Sequence, residues 1–294
     1  MSAIQNVILI GVSMTGCVSV IPLEANDVCQ HSRPAATSDL PFSEPSLTLR
    51  FAVSILTRDN SQATFPSNLT VHRTDYSHAS LLAIFKGQDA VVSTIGAVGL
   101  DQQNAIADAA AAAGVQRFIP SEFGCNTTNA KGAAIVFQTK VDQSLKTGFS
   151  GYNLADKTAT IYDDGNRRVS STTLKTIGLA VARTPQTLTA TANKYLYIHS
   201  FAVSQNEVLA ALQAVTNATF AVTTRTTATA QKEGAEKLAR GDIMGGYLDL
   251  IMAAVCSAGT GNDFEREVDG GTANAVLGLP ASESLEQAIK EALA

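Results

Sequence analysis

The sequence offers no CxxC pair. Its four cysteines, Cys17, Cys29, Cys125 and Cys256, are scattered along the chain. Cys29 and His31 stand close together, but no second pair of ligands follows, so no metal site is expected. Free thiols suit a reducing compartment, and the expected location is cytoplasmic. In that setting the sequons at Asn68, Asn126 and Asn217 carry no glycosylation meaning. An excess of positive charge is also missing. The net charge is −5, which argues against a broad surface for nucleic acid. No cationic start is followed by a long apolar core, so no secretory leader is expected. The longest apolar stretch near the C-terminus, Ile243–Cys256, is too short to span a bilayer and contains Asp249, so no membrane partner is expected. No internal repeat is evident.

What is present is an ordinary globular balance, 45% hydrophobic and 16% charged, in 294 residues. That length suits one large domain or two smaller ones, at roughly 100–200 residues each. The opening run "NVILI" reads as a first buried strand that stops at Gly11. From Phe51 onward strands and helices alternate. "FAVSILT", "LTVHRTD", "DAVVSTIG" and "VQRFIP" read as strands; "HASLLAIFKG" and "LDQQNAIADAAAAAG" read as helices closed by Gly87 and Gly114. Such alternation implies βαβ units with right-handed crossovers. The expected fold is therefore α/β, a doubly wound parallel sheet with its ligand crevice at the carboxyl ends of the strands. The C-terminal third reads as a smaller mixed α/β region. There "SQNEV" places Ser204 and Glu207 in a capping box. Further helices are expected near residues 228–240, 243–256 and 283–292. The expected domains are residues 1–146, a nucleotide-binding unit, and 147–294, a substrate-binding region interleaved with it.

Two places carry candidate chemistry. Gly11, Ser13 and Gly16 match G-x-G-x-x-G with its middle glycine replaced, as a dinucleotide turn after a first strand would require. The same residues also suit a plain turn after a strand. Arg58 follows the second strand, where an acidic residue would bind the ribose hydroxyls of NAD; an arginine there can pair with the 2′-phosphate of NADP instead. A solvated loop arginine is the alternative.

"RFIPSEFG" is the most specific stretch. With "SILTRDNSQATFP", "FKGQDAVVSTIG", "TATIYDDGN", "SSTTLKTIGLAV" and "SFAVSQNEVLAAL" in order, it resembles the isoflavone reductase-like branch of the NmrA-like family, atypical short-chain dehydrogenases, and in particular fungal aromatic-alcohol-reductase-like members. The likeness covers residues 1–11, 50–141 and 144–294. It implies a Rossmann-like fold, NADPH as cofactor and a small aromatic substrate. It places cofactor contacts at the loop of Ser93, Thr94, Ile95 and Gly96 and at a floor of Pro120, Ser121, Glu122 and Phe123 (Phe123 also suits plain core); with Gly11 and Gly16 of the turn and Thr57 and Arg58 at the end of the second strand, these make up the expected cofactor site. It also places the general acid/base at Lys140 in "VFQTK", whose alternative is a surface lysine on a helix. No tyrosine here has a lysine four residues on, so a tyrosine acid is not supported. A lysine serves if burial or a nearby cation lowers its pKa.

The chain departs from the family pattern twice. Members carry G-x-x-G-x-x-G followed by a helix; here Met14 and Cys17 stand at the later glycine positions, and residues 12–49 hold Pro22, Pro34, Pro41 and Pro45 with no helical period. This stretch reads as a damaged nucleotide turn, and "GVSM" also suits a fungal splice donor running into translated intron. After Lys140, residues 141–144 join directly to "LKTGF", where members continue through the rest of a helix and a sixth buried strand; roughly thirty residues, most of a βαβ unit, are absent by this comparison. The resemblance thus implies an NADPH-dependent reductase of small aromatic compounds, impaired in this chain. The alternative it leaves open is a dinucleotide-binding regulator that contacts a protein partner without turnover.

Overall fold

The computed structural model describes residues 3–11, 51–128, 145, 150–281 and 283–293. Two compact units result: Met1–Ser121 with Val181–Thr189, and Glu122–Ala180 with Ala190–Ala294.

The first unit is built on a five-stranded sheet of β1 (Asn6–Ile10), β2 (Ala52–Arg58), β3 (Thr70–Thr74), β4 (Ala90–Ser93) and β5 (Arg117–Ile119), in the order β3-β2-β1-β4-β5. Every pairing is parallel. Strand β1 lies at the centre, and Val7, Ile8, Leu9 and Ile10 are all buried. An unbroken apolar run is what a strand covered on both faces needs. Helices α1 (His78–Phe85) and α2 (Gln103–Ala112) supply a cover. Leu81 and Phe85 of α1 and Ile106, Ala109 and Ala110 of α2 pack with Ile8, Ile10, Leu56 and Val91. Full burial of a side chain such as Phe85 contributes about 1.5–3 kcal/mol. The Ser77 hydroxyl caps α1 by accepting from the Ser80 amide, and Gly87 and Gly114 follow the two helices with positive φ.

Asp89 ties the amino ends of the strands together. Its Oδ2 accepts from the amides of Gln5 and Asn6 at 2.9 Å each, and its Oδ1 accepts from Gln116 Nε2. The Asn6 amide chiefly, with these other donors, holds the carboxyl below the usual range. The Arg117 guanidinium donates to the Leu188 carbonyl at 2.8 Å, fastening the returning segment to β5. The expected second helix is shorter than its pattern, because Ala97–Gln102 forms a 3-10 turn first. This is the expected doubly wound α/β architecture: the chain runs outward from β1 to β3, then resumes on the other side at β4. The switch point lies between β1 and β4.

The second unit holds a three-stranded sheet, β10-β7-β6, from β6 (Tyr152–Asn153), β7 (Thr158–Tyr162) and β10 (Ala221–Arg225), and a ribbon of β8 (Val169–Ser171) with β9 (Phe201–Val203). Helix α3 (Leu174–Arg183) follows β8. Helix α4 (Gln205–Thr216) starts at the expected capping box, with the Glu207 amide donating to Ser204 Oγ and the Ser204 amide donating to Glu207 Oε2. Tyr152, Ile161, Leu212, Phe220 and Ile289 form its core with Leu145, the last helix α7 (Leu285–Leu293) contributing Ile289. Helices α5 (Thr227–Ala239) and α6 (Ile243–Cys256) bury Asp249 between cations. Arg225 Nη1 donates to Asp249 Oδ1 at 2.5 Å and Lys237 Nζ donates to Oδ2 at 2.7 Å. No helix among the described residues is long and apolar enough to cross a membrane.

Candidate functional site

The candidate site is assembled at the carboxyl ends of β1, β2, β4 and β5 in the first unit. Strand β1 ends at Gly11, whose φ is +76°. A Cβ there would stand 2.9 Å from Ile95 Cα and 3.0 Å from Ile95 N. Only glycine allows the turn and the close approach of the β4 exit together. The approach is made firm by Thr94. Its amide and its Oγ both donate to the Ile10 carbonyl, at 2.9 and 2.7 Å. The Gly11 amide donates in turn to Leu56 O at 3.3 Å, so the β1 exit is held from both neighbouring strands.

Two further bonds carry the order to β5. Ser121 Oγ donates to the Ile95 carbonyl at 2.8 Å, and the Ser121 amide donates to Gln103 Oε1 at 2.7 Å. Ile95 is buried, Gly96 is exposed with open space around it, and Pro120 and Ser121 are half-buried. Ser93 Oγ is buried at the end of β4 and has no hydrogen-bond partner among the described residues. Thr57 is buried near the end of β2, and Arg58 is exposed beside it. No ion pair of Arg58 occurs among the described residues. Its charge acts on Tyr76, whose phenol burial pushes up while Arg58 pulls it the other way. Tyr76 itself has a left-handed backbone, φ +61°, with its amide donating to Thr74 Oγ at 2.9 Å.

Gly11, Ile95 and Ser121 are thus brought together by direct contacts and Thr94 is bonded to the end of β1, with Ser93 and Gly96 beside them in the chain, and Thr57 and Arg58 stand at the adjoining strand end. Glu122 and Phe123 open the second unit. Partial burial raises the Glu122 carboxyl above its usual range, and Phe123 is half-buried. Gly16 and Lys140 lie outside the described residues, as do residues 12–50 and the junction at 141–144. Sequence reasoning missed Gln103, the anchor of Ser121, and Tyr76. Neither stands in a motif; only the meeting of a strand exit with a helix start or a neighbouring strand marks them. Among the described residues, no group of three or more His, Cys, Asp or Glu side chains could hold a metal ion.

A model of the NmrA-like family matches residues 42–142. Oxidoreductase aprR of Aspergillus flavus is 36% identical over 262 residues, which span 79% of this chain and 86% of the relative. The aligned positions outnumber the residues of this chain that they span, so the relative carries residues opposite gaps here. Among solved structures, the leucoanthocyanidin reductase–NADPH complex of Vitis vinifera superposes with a TM-score of 0.66 at 16% identity, over 98% of this chain and 99% of that one. AtPrR2 with NADP+ and (+)pinoresinol gives a TM-score of 0.66 at 15% identity, over 99% of each chain.

Proposed function

The chain belongs to the NmrA-like family, and on that footing we propose that it is an NADPH-dependent reductase of small aromatic substrates. The observation that carries this reading is Arg58, an exposed arginine with no carboxylate paired to it among the described residues, at the end of the strand beside β1. That is where the ribose of a dinucleotide would lie in a doubly wound sheet, and an arginine suits a 2′-phosphate through charge-assisted bonds. Gly11 fits as the first residue of such a turn, since its positive φ turns the chain at the end of β1 and its missing side chain lets the β4 exit close against it at Ile95. The named oxidoreductase relative supports the reaction class. The solved neighbours with NADPH, and with NADP+ and (+)pinoresinol, support the cofactor and the aromatic substrate class.

Gly11, with Gly16 beyond it, would approach the pyrophosphate, and Thr57 and Arg58 would take the ribose and its phosphate. Ser93, Thr94, Ile95 and Gly96 would cover the cofactor, with Pro120 and Ser121 leading into Glu122 and Phe123 near the nicotinamide. NADPH, when bound, supplies a hydride to an electrophilic carbon of the substrate. Lys140 supplies the proton that balances it, as general acid, and takes it back in the reverse direction. The short junction at 141–144 limits turnover, because four extended residues span only about 14 Å, too little for a helix and a return strand.

Titration of the full chain with NADPH and NADH, followed by nicotinamide fluorescence, tests the reading. NADPH should bind more tightly, and Arg58→Ala should weaken NADPH binding by about tenfold while sparing NADH, the loss of roughly one charge-assisted contact. Equal losses for the two nucleotides would refute the assignment of Arg58. Turnover of an aromatic substrate should be slow and should vanish in Lys140→Ala. NADPH binding without any Lys140-dependent turnover would instead favour the dinucleotide-binding regulator.

A further inference from the structure

Arg73 is the second cation at this edge of the sheet, and its bonds are unusual. It stands on β3 opposite Thr57 in the parallel register. One nitrogen of its guanidinium, Nη1, donates to three main-chain carbonyls of the loop that leaves β2. The distances are 2.9 Å to Ser61 O, 3.2 Å to Asp59 O and 3.4 Å to Arg58 O. These carbonyls converge because the loop folds back tightly. The Ser61 amide donates to Arg58 O at 3.0 Å, closing a turn, and the Asp59 amide donates to Thr74 O at 3.0 Å. Side-chain bonds within the loop are weaker, with the Ala63 amide donating to Ser61 Oγ at 3.3 Å. Arg73 therefore ties the far side of this turn to the sheet.

Arg73 is exposed, and like Arg58 it has no ion pair among the described residues. A carboxylate is the usual partner of a surface guanidinium. Here Nη1 is committed to neutral carbonyls of the loop instead. The planar, always-charged guanidinium holds Nη1 rigidly toward these carbonyls, whereas a lysine ammonium sits on a flexible stem. The loop that begins at Arg58 is thereby held in one shape.

We propose that Arg73 is a positioning residue for cofactor selection: it fixes the turn that starts at Arg58, so that the Arg58 guanidinium is pre-set to receive the 2′-phosphate of NADPH. This rests on the assignment of Arg58 made above and extends it to a residue on a different strand. The preference for NADPH over NADH then depends on a β2–β3 brace and not on Arg58 alone. Arg73 acts through Arg58, so its effect requires Arg58 to be present.

The test is a double-mutant cycle on the full chain. NADPH and NADH dissociation constants are read by nicotinamide fluorescence for the parent, Arg73→Ala, Arg58→Ala and the double variant. Arg73→Ala should lower the NADPH/NADH preference about three- to tenfold with NADH binding unchanged; that unchanged value also reports that the variant is folded. In the Arg58→Ala background, Arg73→Ala should have no further effect on the preference. Arg73→Lys, which keeps the charge but loses the rigid planar group, should recover only part of the loss. An unchanged preference in Arg73→Ala overturns the inference and leaves the Arg58 assignment standing. So does a full additive loss in the double variant, which would make Arg73 a direct phosphate ligand, or full recovery by Arg73→Lys, which would make charge alone its contribution. A parent chain that binds neither nucleotide overturns the cofactor reading, and this inference with it.

Discussion

Replacing Gly11 by alanine tests how β1 and β4 are joined. Two costs add. A non-glycine residue held in the left-handed region loses about 1–2 kcal/mol. The added methyl also meets Ile95 Cα and Cγ2 at 2.9 Å and Ile95 N at 3.0 Å. Optimal carbon–carbon contact is about 3.5–4.0 Å, so the two exits must separate by half an ångström or more. Two of those three neighbours are backbone atoms, which cannot rotate aside, and overpacking of that kind costs about 1–3 kcal/mol. The expected loss is about 2–5 kcal/mol, a fall in Tm of roughly 5–15 °C for a unit of this size. The separation also pulls on both bonds from Thr94 to the Ile10 carbonyl, so NADPH binding should weaken alongside stability. Thermal and urea unfolding give the first quantity and nicotinamide fluorescence the second. Gly96→Ala is the matched control: nothing lies within 4 Å of its Cβ position, and it should leave Tm nearly unchanged. If Gly11→Ala melts within about 1 °C of the parent, the close approach described here is wrong.

Three further outcomes are expected. Asp249→Ala leaves Arg225 and Lys237 without their shared anion; both cations are partly exposed and reach water, so the cost should be about 2–3 kcal/mol in urea unfolding, and an unchanged midpoint would count against the buried cluster. His199 is buried with Ser170 Oγ 3.3 Å from its Nδ1 and Glu265 Oε1 3.4 Å from its Nε2; burial lowers its pKa, with Glu265 and Asp263 opposing. The unfolded imidazole therefore takes up its proton first, so stability should fall as pH drops below about 6.5, and His199→Gln should flatten that slope between pH 7.5 and 5.5; a variant with the parent's slope would remove His199 as the cause. Ser93→Ala deletes a buried hydroxyl with no partner among the described residues, so Tm should hold or rise, the gain reaching at most about 1 kcal/mol; a loss of that size would mean the hydroxyl is bonded after all.

Much of the fold was legible in local pattern. The alternation of apolar runs with alanine- and leucine-rich segments marked β2 to β5, α1 and α2, and Gly87 and Gly114 marked the helix ends. The capping box at Ser204 and Glu207 is a short-range signal, and it forms as read. Helix α2 was overextended by pattern alone, since Ala97–Gln102 winds as a 3-10 turn before the α-helix begins. The site was legible where a residue type has one conformational use: Gly11 at a strand end needs positive φ, and an arginine after the second strand is a recognisable substitution for an acid.

The sequence by itself therefore determined the parallel α/β plan and the strand ends that carry the candidate site, because periodicity and turn chemistry act within a few residues of the chain. Tertiary structure alone decided how those ends are locked. Thr94 reaches back 84 residues to Ile10, Ser121 is held by Ile95 and Gln103, and Arg73 closes on carbonyls of the preceding loop 12 to 15 residues away. None of these pairs has a spacing that a pattern repeats. Each exists because parallel pairing sets β3, β2, β1, β4 and β5 side by side, and acceptors at or beside their ends take whichever donor the register delivers.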